Sequence, residues 1–591
     1  MPPTLLLAAL LCAQAAPQDL EARRKQLSAL LDEQWEYTMR THPEFASVLG
    51  DKRYNDKLTD RSEEAVLAEY EMARQFLARF QAVDTAGFPT QEALNKSLMV
   101  RELEMDLEGF KFKDWEMPIT QFGGIHLQAP QLVSVLSFET VKDYDDYIAR
   151  LRQLPVAFAQ VTGLMRKGMA EKLMPPRILL EQAAGQAAKI GGAPPEESPF
   201  FQPAKKIPAG FSEADKARIR EQVLAAVRDQ VNPAYQKLTK FLKDEYAPKG
   251  RAEPGLWALP DGAARYAYAV EQSTTTKMTP EEIHQLGLKE VARDRELMLQ
   301  IARRLGFSDL KSFDAAADKN PRLHPQSREQ MLELYRKYID QMWAKLPQYF
   351  GRLPKGKVEV MPVESFREKE ASGAQYVRGT ADGKRPGHVM VNTGDFEKRS
   401  TLDIETTAYH EGVPGHHLQI ALAQELPTLP RFRQNSFYIA YVEGWALYSE
   451  RLGEEAGFFQ DPYSLYGHLE DDLLRAIRLV VDTGFHYKKW SRQQVVDYFH
   501  ANSGIDEPTV QSETDRYMAW PGQALGYKIG QLKILELRDR AKKALGPRFD
   551  IRAFHDEVLD SGAMPLDVLE QRVDDFIARG KAAGPAGSAL H

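Results

Sequence analysis

Apolar residues recur at three- and four-residue spacing along most of this chain. The segments 20–40, 62–83 and 214–246 show it best. Each predicts an amphipathic helix with one face turned to a core. No longer period of about 30–50 residues recurs, which excludes a solenoid. Two stretches lose the helical spacing. Residues 190–210 (IGGAPPEESPFFQPAKKIPAG) crowd proline and glycine and predict a loop. Residues 247–275 predict a second non-helical region, joining two halves. A helix-start signal follows, with Thr279 as cap, Pro280 in the first position and Glu281 and Glu282 in the first turn. Residues 357–362 (KVEVMP) and 387–393 (GHVMVNT) alternate and predict short strands, with turn residues at Asp382–Gly387. The expected fold is mainly α, with a small antiparallel β-sheet. The expected division is a signal peptide at 1–16, an N-terminal helical half at 17–270, a C-terminal half carrying the site at 271–585 and a disordered tail at 586–591.

Composition changes this picture little. With 591 residues, 43% of them hydrophobic, the chain can bury a large core. Lys+Arg number 77 against 84 Asp+Glu, well interspersed, so nothing favours nucleic acid as a partner. The N-terminus adds more. Thr4 to Cys12 form an apolar run too short to span a bilayer, and Ala13-Gln14-Ala15 follows as a small-x-small cleavage signal. This predicts export by a signal peptide cut near Ala15 or Ala16, and a secreted or periplasmic chain with no membrane insertion afterwards. No Lys or Arg precedes the apolar run, a departure from the usual signal. Leu11 stands where a lipoprotein signal has a small residue, which argues against lipidation of Cys12. Cys12 is the only cysteine, so the cleaved chain would have neither disulfides nor thiolate ligands.

Residues 405–420 read ETTAYHEGVPGHHLQI, placing three of the 13 histidines within eight residues. Imidazole nitrogens with a carboxylate are a zinc donor set. In His-Glu-x-x-His the histidines lie one turn apart, and the glutamate activates a bound water. Here Pro414 stands where the second histidine belongs. Six residues on an unbroken helix turn through about 600°, which would put His416 on the wrong side of His410. Pro414 would clash with the carbonyl of His410, and Gly412 and Gly415 loosen the chain around it. A bulge of two residues brings His416 one turn from His410; a bulge of three does the same for His417. The choice between them stays open, with His416 preferred. The expected metal ligands are His410, His416 and, from a later helix, Glu443, with Glu411 as general base. Glu450, seven residues after Glu443, and the upstream Asp403 and Glu405 are candidates to orient a ligand, though each reads at least as well as a solvated acid. Residues 513–530 supply Arg516, Tyr517 and Tyr527 as hydrogen-bond donors.

Four blocks together resemble the bacterial domain of unknown function 885 family. They are His410–Gln419 (HEGVPGHHLQ), Glu443–Tyr448 (EGWALY), Pro521–Gly530 (PGQALGYKIG) and the turn and strand end Asp382–Thr393. The resemblance implies a helical, cleft-bearing gluzincin-like fold, similar in plan to the clan that includes angiotensin-converting enzyme. It implies Zn2+ on His410, Glu443 and either His416 or His417, Glu411 as base and Tyr527 as oxyanion donor. The expected activity is zinc-dependent peptide hydrolysis, of carboxypeptidase or dipeptidase/oligopeptidase type. Arg516 and His417 would assist at the oxyanion. Asn392, Thr393 and Tyr517 would contact a peptide, the strand 387–393 pairing with it by edge addition. The alternatives are a zinc hydrolase of a non-peptide amide or ester, and a non-catalytic peptide-binding protein of the same fold.

Overall fold

The computed structural model describes residues 19–582, except 364, 366, 367, 369 and 370. The expected signal peptide and the tail from 583 onward lie outside the described residues. Helices dominate, as the spacing predicts. Leu20–Thr41 and Glu63–Gln81 form where the apolar stripes are. Ser62 starts the second by accepting the amide of Ala65. Thr279 and Glu282 close a reciprocal capping box at the head of Pro280–Arg304. Seven helices carry the argument that follows: α1 (Thr90–Phe110), α2 (Ile404–Glu411), α3 (His416–Glu425), α4 (Ile439–Glu455), α5 (Pro462–His486), α6 (Glu507–Ala519) and α7 (Leu525–Leu545).

Three expectations need correction. The first is the loop at 190–210. A helix from Arg177 runs to Gly192, and Pro199–Phe201 and Gln202–Lys205 form short helical turns. Proline in the first turn of a helix loses only an amide that would be unbonded anyway. The second is the break at 247–275, where Gly262–Thr274 is a helix. Its buried Tyr266 and Val270 lie one turn apart on a core-facing side.

The third concerns the sheet, which is mixed rather than antiparallel. Its strands are β1 (Val358–Pro362), β2 (Ala374–Val377) and β3 (Gly387–Val391), in the order β1-β3-β2. The turn at 382–387 closes a hairpin between β2 and β3, so that pair is antiparallel. The chain between β1 and β3 is long enough to return in the same direction, and that pair is parallel. β3 is therefore central, with both edges paired, and offers no edge for peptide addition. From the β2–β3 turn, Arg385 reaches the carbonyls of Val48 and Val135 at 3.1 and 3.3 Å.

One apolar core is built from residues 119–247, around Tyr144, Leu180 and Tyr235. The largest gathers Tyr409, Val413, Leu418, Tyr441 and Trp445 from around the histidine segment. Within it α4 and α7 cross backbone to backbone. A Cβ on Gly530 would stand 1.8 Å from the carbonyl oxygen of Ala440, and one on Gly444 2.5 Å from the Cα of Gly530. Among the described residues no helix is long and apolar enough to cross a membrane.

Candidate metal centre

Helix α2 ends where the Gly412 amide meets the Ala408 carbonyl at 3.0 Å, and α3 begins four residues later at His416. The Val413–Pro414 peptide between them is cis. The excursion is held from both sides. Gly415 donates to the Tyr409 carbonyl at 3.0 Å, His417 to that of Gly412 at 3.1 Å, and the indole of Trp445 to that of Pro414 at 2.8 Å. Glycine is needed because the backbone folds onto itself. A Cβ on Gly415 would lie 2.0 Å from the His410 carbonyl oxygen; one on Gly412 would lie 2.7 Å from that of Ala408.

The excursion brings His410 and His416 together, their ring centroids 4.8 Å apart and their planes at 89°. Glu443, from α4, points its Oε2 between them, 3.6 Å from Nε2 of His410 and 3.4 Å from Nε2 of His416. Two ligands on a tetrahedral zinc with bonds of about 2.0–2.1 Å stand about 3.4 Å apart, so these atoms are spaced as a zinc site requires. Glu411 joins the cluster, since ligand atoms of His410, Glu411 and His416 all lie within 4.8 Å of one another. Two imidazoles and a carboxylate, with a further carboxylate adjacent, are a fitting donor set for Zn2+.

Glu450 lies behind the cluster. Its Oε1 accepts from Nδ1 of His410 at 2.7 Å, which leaves Nε2 of that ring facing Glu443. Its Oε2 accepts the hydroxyl of Thr406 at 2.7 Å, and that hydroxyl also meets Nδ1 of His468 at 3.0 Å. Burial works to raise the carboxyl of Glu450, but its bonds to His410 and His468 outweigh this and hold it well below the usual range. Glu443 behaves alike. Burial opposes its charge, and the two histidines overcome that and keep it ionised. Burial would lower His410, yet bonding to Glu443 and Glu450 and the charge of Glu411 raise it well above an ordinary imidazole. The pocket thus holds a strong demand for positive charge.

The other expected residues divide. Tyr527, one turn before the glycine crossing, has its hydroxyl 3.1 Å from an Arg516 guanidinium nitrogen. The hydroxyl accepts that bond and keeps its own proton to donate. Arg516 also binds Glu513 at 3.2 Å and Gln523 at 2.9 Å. Tyr517 does not face a ligand. It is fully buried, its hydroxyl donating to Glu513 and accepting from Arg478 at 3.3 Å. Asn392 is likewise structural. Its amide nitrogen donates to the carbonyls of Glu368 and Ala371 at 2.7 and 2.9 Å, its oxygen accepts from Gly394, and Thr393 beside it is buried. His417 is turned to the sheet. Its nitrogens meet the hydroxyl of Tyr376 and the carbonyl of Gly356, both at 3.1 Å, and burial lowers it to about 4. Neither nitrogen is left for a metal or an oxyanion. Glu405 holds Tyr409 at 3.0 Å and the Phe459 amide at 3.1 Å rather than a histidine. Asp403, the exposed residue just ahead of α2, makes no side-chain hydrogen bond to a histidine among the described residues. The sequence reading underrated Glu450, although its heptad spacing from Glu443 placed it on the same face. His468 and Thr406 carried no signal beyond their residue types.

A family model described as bacterial protein of unknown function (DUF885) matches residues 43–573. No curated protein matches the sequence. Among solved structures, a presumptive lipoprotein from Colwellia psychrerythraea is 30% identical with a TM-score of 0.90, covering 94% of this chain and 99% of its own. A presumptive lipoprotein of unknown function from Shewanella oneidensis shares the fold at 18% identity and a TM-score of 0.68, with the same coverage of 94% and 99%.

Proposed function

The chain belongs to the DUF885 family of bacterial proteins, and we propose that it is a zinc-dependent peptide hydrolase. The observation that carries this reading is the placing of Glu443 Oε2 at 3.6 and 3.4 Å from the Nε2 atoms of His410 and His416. In this reading those three side chains hold Zn2+, and α4, α5 and α7 wall a gluzincin-like cleft. The ion, when bound, supplies Lewis acidity and an acidified water. Glu411 takes the proton of the attacking water and delivers it to the leaving amine. Tyr527, its hydroxyl oxygen already accepting from Arg516, donates to the oxyanion that develops on the carbonyl. Glu450 keeps the His410 ring in the tautomer that presents Nε2.

The presumptive-lipoprotein descriptions of both neighbours support an extracytoplasmic location. Cys12 is the residue at which a lipid would have to be attached.

The test joins metal analysis to one substitution. The purified chain should carry about one zinc and cleave peptides, losing activity to a chelator and regaining it with Zn2+. Glu411→Gln should keep the metal and lower kcat by about 1,000-fold, within the range for loss of a general base. Full turnover in that variant, or cleavage confined to esters or non-peptide amides, would overturn the assignment.

A further inference from the structure

A second feature lies a short way along α4 from the metal cluster. Between α1, the N-terminal helix Leu20–Thr41 and the segment before α4 is a cavity of about 340 Å³, within the size range of small-ligand sites. Its walls are aromatic, with Trp35, Phe45, Phe432, Phe437 and Tyr438. Phe437 is 52% exposed and Phe45 37%, unusual for rings with a core close by. Two acids, Glu102 and Asp106, stand one turn apart on α1 and share the cavity.

The two acids differ. Glu102 is satisfied by the chain, accepting from the hydroxyls of Tyr438 at 2.6 Å and Ser436 at 3.3 Å. Asp106 has no hydrogen-bond or ion-pair partner among the described residues. The one arginine lining the cavity, Arg101, is committed to both oxygens of Asp567 at 2.8 Å. A carboxylate without a cation, set among aromatic faces, matches an organic cation. The acid supplies the counter-charge, and the rings supply cation–π attraction and cover for an aliphatic stem. Tyr438 immediately precedes α4, and Glu443 lies five residues on, about 7.5 Å along the helix axis and about 140° round it.

We propose that this cavity is a subsite for a lysine side chain of a bound peptide, with Asp106 as its counter-ion and Trp35, Phe45 and Phe437 as its walls. The position of the subsite beside the reacting bond rests on the peptidase reading; the cation preference does not. Asp106 is exposed to solvent, and partial desolvation by its surroundings raises it only to about 6, so it remains largely ionised at neutral pH.

The test is equilibrium binding by calorimetry, on the full chain carrying Glu411→Gln so that nothing is cleaved. The probes are two blocked pentapeptides of alanine, one with lysine and one with norleucine at the centre. The lysine peptide should bind at least about tenfold more tightly, as expected for a charge-assisted hydrogen bond. Asp106→Asn should bring the two within about threefold. Phe437→Ala, at a half-exposed ring, should weaken the lysine peptide by at least threefold and serves as a second variant should the first fail to fold. Equal affinities in the parent, or a lysine preference that neither substitution moves, would overturn the subsite. A lysine preference in a protein that hydrolyses no peptide would uphold the subsite and sink the peptidase reading; hydrolysis with no such preference would do the reverse.

Discussion

Two of the prolines set in helical patterns, Pro233 and Pro414, are treated differently. Ahead of Pro233 the helix that starts at Glu213 widens into a π turn over Val227–Val231, and the Asn232 amide reaches the Val227 carbonyl. The helix then runs on through Asn232–Phe241. The wider turn carries the proline ring past the carbonyl it would strike, and the core face continues through Val227, Val231 and Tyr235. At Pro414 the helix stops and restarts. The difference lies in the neighbours. Pro233 has valine, asparagine and alanine around it; Pro414 has Gly412 and Gly415. Glycines allow the backbone to fold within side-chain distance of itself, and the restart resets the helical phase. At Pro233 the helix widens and continues, and at Pro414, between glycines, the break relocates the residues after it.

Three substitutions, from the largest effect to the smallest, and one change of conditions sharpen that contrast. Gly415→Ala forces a Cβ to within 2.0 Å of the His410 carbonyl oxygen. It should lower stability by about 3–5 kcal/mol and abolish stoichiometric zinc, read by chemical denaturation and metal analysis. A fully metallated, stable variant would mean that the excursion does not depend on glycine. Glu450→Gln keeps the shape but removes the charge that orients His410. Zinc affinity should fall by about 10–100-fold with the helices intact, as competition with a chromogenic chelator would report.

Acid should act broadly. Burial holds His417 and His126 at about 4 and His486 and His555 at about 3. In the unfolded chain these rings take up protons below about 6.5, while the folded ones refuse them. The unfolded state then binds more protons, so stability falls as the pH drops from about 6.5 towards 4. The slope is up to about 1.4 kcal/mol per pH unit for each ring. Urea midpoints from pH 7 to pH 4 check this, and a flat profile would contradict the buried neutral state. Pro233→Ala should change stability by less than about 1 kcal/mol and leave any zinc untouched, since the π turn is flanked by ordinary packing.

Much of this was legible in the residues. Helical stripes survive in the structure because apolar spacing is what a helix buries. A phase argument brought either His416 or His417 within reach of His410 and left the choice open, and Glu443 was expected from its place on a returning helix. What was not legible depended on partners far away in sequence. Asn392 and Tyr517 looked like binding groups because their types are polar. Their side chains are taken up by the carbonyls of Glu368 and Ala371 and by Glu513. His417 differs from His416 by one position, which on a helix is about 100° and enough to face Tyr376 instead of Glu443. The strand order was hidden for a similar reason. Alternation gives a strand its faces but does not say which neighbour lies on each side.

The crossing at Gly444 and Gly530 has a mechanical consequence. Two rods in main-chain contact cannot shear past each other without first lifting apart, so the carboxylate of Glu443 and the phenol of Tyr527 travel as a single block. Any breathing that admits or frees a guest must come from walls joined by longer, softer ties. One such tie is the finger of Arg385, which grips the opposite half of the molecule through two carbonyls.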